Sequence, residues 1–316
     1  MTICPRFRRT RRLRHELVRW SSRGGGLHGL TDDETANGRP LRLEDAARVA
    51  APLGDIAAGL SESVFANLFL FREVHGYRLH EGPLAHISGR TYDGAQVVLP
   101  LFEVQGADIS ALRRLLGADR WLYPFAERPA QALGDRYVSV WNDDDSDYVY
   151  DAERMRSFVG LKARRQQLRR FEGASSVSIR PLDDTAAAAC AQTILDRWQA
   201  DTAKPWAATD YAACAQALAQ RNALGLFGLI VEVAGDPAGF VLASRISSDM
   251  AAVHFAKGLR RYDGVFPFMF RALAREHPDL ARLNFEQDLG NPRFRQSKRS
   301  YRPLYMARKL RLRLQT

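Results

Sequence analysis

The chain has 316 residues, 46% of them apolar and 26% charged, which is enough for one large or two medium-sized domains with real cores. No apolar run approaches the roughly 18–20 residues that a membrane-spanning helix needs. The three cysteines, Cys4, Cys190 and Cys214, are odd in number and far apart, which argues against a disulfide framework or a zinc site and fits a reducing, cytoplasmic setting. The net charge of +10 is concentrated at the ends, with eight arginines against one glutamate in residues 1–23 and nine Arg or Lys without an acid in residues 293–316. Basic tracts on a net acidic body suit a polyanionic partner, RNA or an anionic membrane surface; solvated tails are the equal alternative.

In chain order, residues 1–40 are Arg-rich, acid-poor and interrupted by Gly24–Gly26, and are expected to form a basic flexible arm. Residues 41–60 and the run VFANLFLFREV carry helical apolar spacing. Short strand patterns follow at Tyr77–Leu79, Leu84–Ser88 and Gln96–Leu101, with a hairpin turn marked by Asp93-Gly94, then a helix over 108–117 and a strand at WLYPF. The tract GLKARRQQLRRF, residues 160–171, predicts a basic helix whose buried stripe is Phe158, Leu161, Leu168 and Phe171; its cations either meet a polyanion or form a solvated face. From residue 183 the order returns: two helices, three strands (LGLFGLIVEV, AGFVLASRI, AAVHFAKGL), a helix at VFPFMFRALAREH and a strand at LNF.

Periodicity alone supports an α/β protein with two similar lobes. Two helices, three antiparallel strands, a helix and a strand is also the element order of the GNAT acyltransferase fold, and its recurrence predicts a tandem duplication. The expected division is an arm (1–40), an N-terminal GNAT-like lobe (41–150), a linking basic helix (151–174) and a C-terminal GNAT-like lobe (175–316).

The runs FANLF, DYVYD, VHFAKG, NFEQDLG and FRQSKRSYRP, in this order and spacing, resemble the phosphatidylglycerol lysyltransferase C-terminal domain family, also called DUF2156, over about residues 41–310. The resemblance implies an enzyme of tandem GNAT-like fold that moves an amino acid from aminoacyl-tRNA to an acceptor such as a lipid headgroup, a sterol or a small amine. It implies tRNA as partner, a small-molecule or lipid acceptor, peripheral membrane contact, and neither metal nor cofactor beyond the donor. In the resembling lysyltransferases one strand carries an acid and, three residues on, a base that contact the aminoacyl group. His254 and Lys257 hold those positions here, so a preference for a cationic amino acid does not carry over.

Read for their own chemistry, several residues converge. His254 can take a proton from an attacking amine or hydroxyl at neutral pH, or be a hydrogen-bonded structural histidine. If LNFEQD is extended, Asn284, Glu286 and Asp288 share one face, where the carboxylates would orient an amino group. The alternative is that Asp288 caps a following turn while Glu286 pairs with Arg295 or Lys298. Lys257, Lys298 and Arg295 are expected to hold phosphates of the donor's CCA end or the ester oxygen, and Tyr301 either stacks on a terminal base or packs internally. The turn KGLRRYDG keeps Gly258 and Gly264, yet Arg261, Tyr262 and Asp263 crowd the place where backbone would cradle a pyrophosphate, which weakens an acetyl-CoA donor. An acyl-CoA-dependent N-acyltransferase and a non-catalytic RNA- or membrane-binding protein remain the alternatives.

Overall fold

The computed structural model of the protein describes residues 38–174 and 176–315. The first half runs β1 (Arg39–Pro40), α1 (Ala46–Ile56), α2 (Phe65–Leu70), α3 (Arg72–His75), β2 (Arg78–His80), β3 (His86–Arg90), β4 (Gln96–Pro100), α4 (Ile109–Leu116), β5 (Trp121–Phe125), α5 (Glu127–Ala132) and β6 (Tyr137–Trp141). Next come β7 (Asp147–Asp151), α6 (Ala152–Ser157) and α7 (Lys162–Ala174). The second half is β8 (Val177–Pro181), α8 (Thr185–Thr202), α9 (Tyr211–Ala219), β9 (Phe227–Val233), β10 (Asp236–Arg245), β11 (Met250–Gly258), α10 (Val265–Glu276), β12 (Arg282–Asn284), α11 (Pro292–Ser300), β13 (Tyr305–Ala307) and β14 (Leu310–Leu314).

Local chemistry sets many of these boundaries. Asp108 and Asp184 start α4 and α8 by accepting hydrogen bonds from the N–H groups of Ala111 (2.8 Å) and Ala187 (2.6 Å), and Asn291 does the same for α11. β10 is apolar on both faces because helices cover both: Phe240 and Leu242 join one core, Val241 and Ala243 another. On α7, Leu168 and Phe171 are buried, as are Phe158 and Leu161 just before it, as the stripe predicts.

The described residues form two seven-stranded sheets, ordered β1-β2-β3-β4-β5-β14-β6 and β8-β9-β10-β11-β12-β7-β13. Each has one parallel pair, at the matching places β4/β5 and β11/β12. The protein is thus a mixed α/β tandem duplication of a GNAT-like fold. The sheets, however, cross the boundaries expected at residues 150 and 175. β7, which follows the first half, sits between β12 and β13 of the second sheet, and the C-terminal β14 sits between β5 and β6 of the first. Each lobe therefore receives one strand from the other half of the chain. The expected linking helix is two helices, α6 and α7. The expected arm lies outside the described residues except at its end, where Arg39–Pro40 pair with Arg78 and Leu79.

The two lobes also share one core. Phe65, Phe69, Leu79 and Tyr123 of the first pack in the same apolar cluster as Ala191, Ile194, Phe240 and Phe255 of the second. Among the described residues no helix is long and apolar enough to cross a membrane, and no group of three or more His, Cys, Asp or Glu is arranged to hold a metal ion.

Candidate active site

Two irregularities in the second sheet build the site. In β11, Phe255 pairs with Leu242 and Val253 with Ala243, so His254 is an extra residue bulged out of the ladder with β10, which re-aims its side chain. β12 is short and pairs with β11 only as far as Asn284 opposite Ala252, while β11 runs on to Gly258. The chain leaving β12 then turns away at Glu286, whose φ of +56° lies in the left-handed region that costs a residue with a Cβ about 1–2 kcal/mol.

That conformation is held from all sides. The Glu286 N–H donates to Asn284 Oδ1 at 2.7 Å, and the Glu286 carbonyl accepts from the Tyr148 N–H at 3.1 Å. Lys298 Nζ donates to the carbonyls of Phe285 (2.5 Å), Glu286 (3.1 Å) and Gln287 (2.6 Å). Burial pushes the Lys298 ammonium down to about 8. The expected extended alternation of Asn284, Glu286 and Asp288 is accordingly broken, and the three side chains do different things.

Glu286 faces the seam between the lobes with 15% of its side chain exposed. Its Oε1 accepts from Asn67 Nδ2 of α2 at 2.9 Å and lies 2.8 Å from His254 Nδ1. Among the described residues no donor reaches Oε2. One carboxylate oxygen is therefore fixed by both lobes and the other is not.

His254 has a side chain with no solvent exposure, and its Nε2 lies 2.6 Å from Ser244 Oγ. With Nδ1–H donating to Glu286, Nε2 accepts from the serine hydroxyl. Both ring nitrogens are engaged by protein groups, so neither stands free toward an acceptor as expected, and the ring meets the Glu286 carboxylate instead.

The remaining expected residues are also occupied by protein partners. Asp288 accepts from Tyr148 Oη (2.6 Å), from the Gly290 N–H (2.9 Å) and from Arg295 Nε and Nη2 (2.8 and 2.9 Å). Burial alone would raise its pKa; these donors outweigh burial and hold it below the usual carboxylate value. Arg295 also binds Asp144. Lys257 Nζ lies 2.6 Å from Asp210 Oδ1 and 3.7 Å over the Trp198 ring, instead of standing free for phosphate. Tyr301 is buried against Tyr150, Phe158 and Phe270, with Arg164 over its face, which is the packed alternative.

Asn284 is fully buried and links the site to a polar hub. Its Nδ2 donates to Asp147 Oδ2 (2.9 Å) and to the Gly59 carbonyl (3.1 Å). Asp147, Glu62 and Ser61 surround Lys309 Nζ at 2.7, 2.7 and 3.0 Å, and Gln287 Oε1 also accepts from it. Burial raises the Glu62 carboxyl, with Lys309 opposing the shift and Asp147 adding to it.

Sequence reasoning missed Asn67 and the hub. Asn67 stands inside the apolar run FANLF, and a buried amide on an apolar helix is the signal that marks it. A groove of about 800 Å³, lined by Ala46, Ala50, Gly54, Phe65, Arg245 and Arg282, lies apart from Glu286 but includes Gly59, whose carbonyl binds Asn284.

The N-terminus of α10, where a GNAT pyrophosphate cradle would form, is covered. Gln167 Nε2 of α7 donates to Asp263 Oδ1 at 2.5 Å. A Cβ on Gly264 would lie 2.7 Å from Phe171 Cβ and 3.0 Å from the Gln167 carbonyl, so only glycine fits beneath α7.

The sequence matches the family described as phosphatidylglycerol lysyltransferase, C-terminal, over residues 54–310. No curated protein matches it. Among solved structures, a conserved protein of unknown function from Bacteroides thetaiotaomicron superposes with a TM-score of 0.73 at 19% identity, covering 88% of this chain and 99% of that one. The C-terminal DUF2156 domain of an Agrobacterium fabrum protein named as a lysylphosphatidylglycerol synthetase gives a TM-score of 0.57 at 11% identity, covering 85% and 91%. L-PGS from Bacillus licheniformis gives 0.52 at 13% identity, covering 87% and 93%. At these identities the superpositions establish the shared fold.

Proposed function

The chain belongs to the phosphatidylglycerol lysyltransferase C-terminal family, and from that premise we propose that it transfers an amino acid from aminoacyl-tRNA to an amine or hydroxyl of a lipid or small-molecule acceptor. The observation that carries this reading is the Glu286 carboxylate, with Oε1 clamped by Asn67 and His254 and Oε2 open to the seam. A carboxylate so oriented can take the proton of an attacking amine or hydroxyl as the new bond to the acyl carbon forms, and return it to the departing ribose oxygen. His254 and Asn67 hold Oε1 and thereby aim the open Oε2, which is how positioning lowers the barrier. An aminoacyl ester is already activated and brings no pantetheine to hold, so the covered N-terminus of α10 suits it better than acyl-CoA.

The test is incubation of the protein with total tRNA charged with radiolabelled amino acids, together with phosphatidylglycerol vesicles and a diamine. Transfer of label should vanish after ribonuclease treatment of the donor and fall steeply with added salt, because each neutralised phosphate releases counterions. Transfer that resists ribonuclease and requires acetyl-CoA would overturn the reading.

A further inference from the structure

Arg295 and Lys298 stand three residues apart on α11 and so share the face of that helix that meets the turn after β12. They divide the turn between them. Arg295 holds the Asp288 side chain, whereas Lys298 Nζ donates to the main-chain carbonyls of three successive residues, Phe285 at 2.5 Å, Glu286 at 3.1 Å and Gln287 at 2.6 Å. Successive carbonyls of an extended chain point to opposite sides, so these three converge on one ammonium because the backbone turns left-handed at Glu286.

An ammonium has three N–H groups and no acceptor, and here all three are spent on the turn. None is left for a phosphate or an ester oxygen, the role that the charge alone suggested. The helix that carries the ammonium is anchored in its turn: Tyr150 Oη of β7 donates to the Lys298 carbonyl at 2.8 Å, and Arg164 of α7 donates to Ser300 Oγ from Nη2 at 2.6 Å and from Nε at 3.1 Å. The Tyr148 ring of β7 lies 5.6 Å from Nζ. The charges acting on Lys298 are those of Glu286 and Asp288 in the turn, Asp147 of β7 and Lys309 just before β14, with Arg295 on its own helix held by Asp288 and Asp144.

We propose that Lys298 is a positioning residue for the transfer, its three N–H groups holding the main chain on both sides of Glu286 so that the open Oε2 is aimed into the seam. The inference rests on the aminoacyl-transfer reading. No proton moves to or from Lys298 in the reaction; it acts through the Glu286 backbone alone. A neutral amine keeps two N–H groups for three carbonyls, so deprotonation releases one of them and slackens the turn. Burial brings that loss within reach by pushing Lys298 from its ordinary 10.5 down to about 8, against the pull of Glu286, Asp147 and Asp288. The ammonium is the competent form, so the activity it supports is whole below about pH 8 and is lost as pH rises through that value.

The experiment compares the parent with Lys298→Met, Lys298→Arg and Glu286→Gln, using the charged-tRNA mixture, phosphatidylglycerol vesicles and diamine on either side of about pH 8, each rate corrected for ester lost without protein. In the parent, kcat should fall as pH rises through that value. Lys298→Met should lower kcat by about 10²-fold at pH 7, the scale of loss for a reacting group displaced by about 1 Å, with KM for charged tRNA near that of the parent. Lys298→Arg should regain part of that rate and lose the alkaline fall, because a guanidinium keeps its charge. If Lys298→Met does not fold, the parent and Lys298→Arg decide between them. A parent rate that does not fall above pH 8, the same fall in Lys298→Arg, or a Lys298→Met loss confined to KM, each beside an inactive Glu286→Gln, would overturn the inference and leave the reading standing. If the parent transfers no label at any pH, the reading falls and the role of Lys298 falls with it.

Discussion

Lys309 Nζ lies 2.7 Å from Asp147 Oδ1, and both side chains are fully buried where the two exchanged strands cross. The chain passes from the first sheet to the second between β6 and β7 and returns between β13 and β14, so this pair pins the two crossovers together. Arg311 and Asp145 form a second buried pair beside it. Because Asp147 also holds Asn284, which holds the Glu286 N–H, the joint between lobes and the geometry of the site rest on the same side chains.

Replacing Lys309 by Met should cost about 3–5 kcal/mol in urea denaturation, since it leaves Asp147 and Glu62 buried without their cation. The double variant Lys309→Met, Asp147→Leu should recover part of that loss, because the uncompensated Asp147 charge is then gone. Equal instability of the single and double variants would show that the pair is not what joins the lobes.

In the proposed transfer His254 acts through Glu286, and the two should separate in kinetics. Glu286→Gln should lower kcat by about 10²–10⁴-fold, the usual cost of losing a proton-transfer group. His254→Ala should cost less, about 10–100-fold, because Asn67 still holds Oε1. His254→Asn, whose amide can replace the Nδ1–H donor, should regain much of this. Equal, near-complete inactivity of all three would return His254 to a direct role.

Asp288 should behave as a structural carboxylate. Its folded pKa is held below the ordinary value of 3.8, so the stability it contributes is complete above that value and is lost as pH falls through the lower, folded one. Asp288→Asn should cost about 2 kcal/mol at pH 7, and the difference from the parent should shrink below about pH 4. A difference that persists unchanged to pH 2 would contradict the pairing with Arg295 and Tyr148.

The repeat of elements could be read from the chain because helix and strand periods are local properties. The strand exchange could not. DYVYD was visible as part of the family pattern, but nothing in it specifies which sheet it enters, and LRLRL was absorbed into a basic tail because its arginines alternate with the buried leucines. Arg311 is itself buried, paired with Asp93 and Asp145 from 218 and 166 residues away. At the site, His254 and Glu286 were identified as chemistry-bearing residues, but their division of labour depends on a bulge and on one left-handed backbone. Glutamate gives no advance sign of that conformation, since the tertiary hydrogen bonds of Asn284, Lys298 and Tyr148 impose it. Lys298 and Arg295 were expected at the ligand because charge can be read from sequence and its partner cannot.

The covered N-terminus of α10 separates the two donor classes without a rate measurement. In a coenzyme A site the first amides of this helix must lie open to a pyrophosphate. Here Gln167 and Phe171 of α7 lie against Asp263 and Gly264, and the Val265 N–H already donates to the Tyr262 carbonyl at 3.2 Å. Binding there would require α7 to leave a core in which Phe171 packs on Phe268 at 5.4 Å between ring centres. Calorimetric titration should therefore give a Kd for acetyl-CoA weaker than about 1 mM, which is a binding free energy smaller in magnitude than about 4 kcal/mol. Charged tRNA at low salt should bind far more tightly and weaken as salt is added. Micromolar acetyl-CoA binding that salt leaves unchanged would show that α7 moves and would restore the acyl-CoA donor.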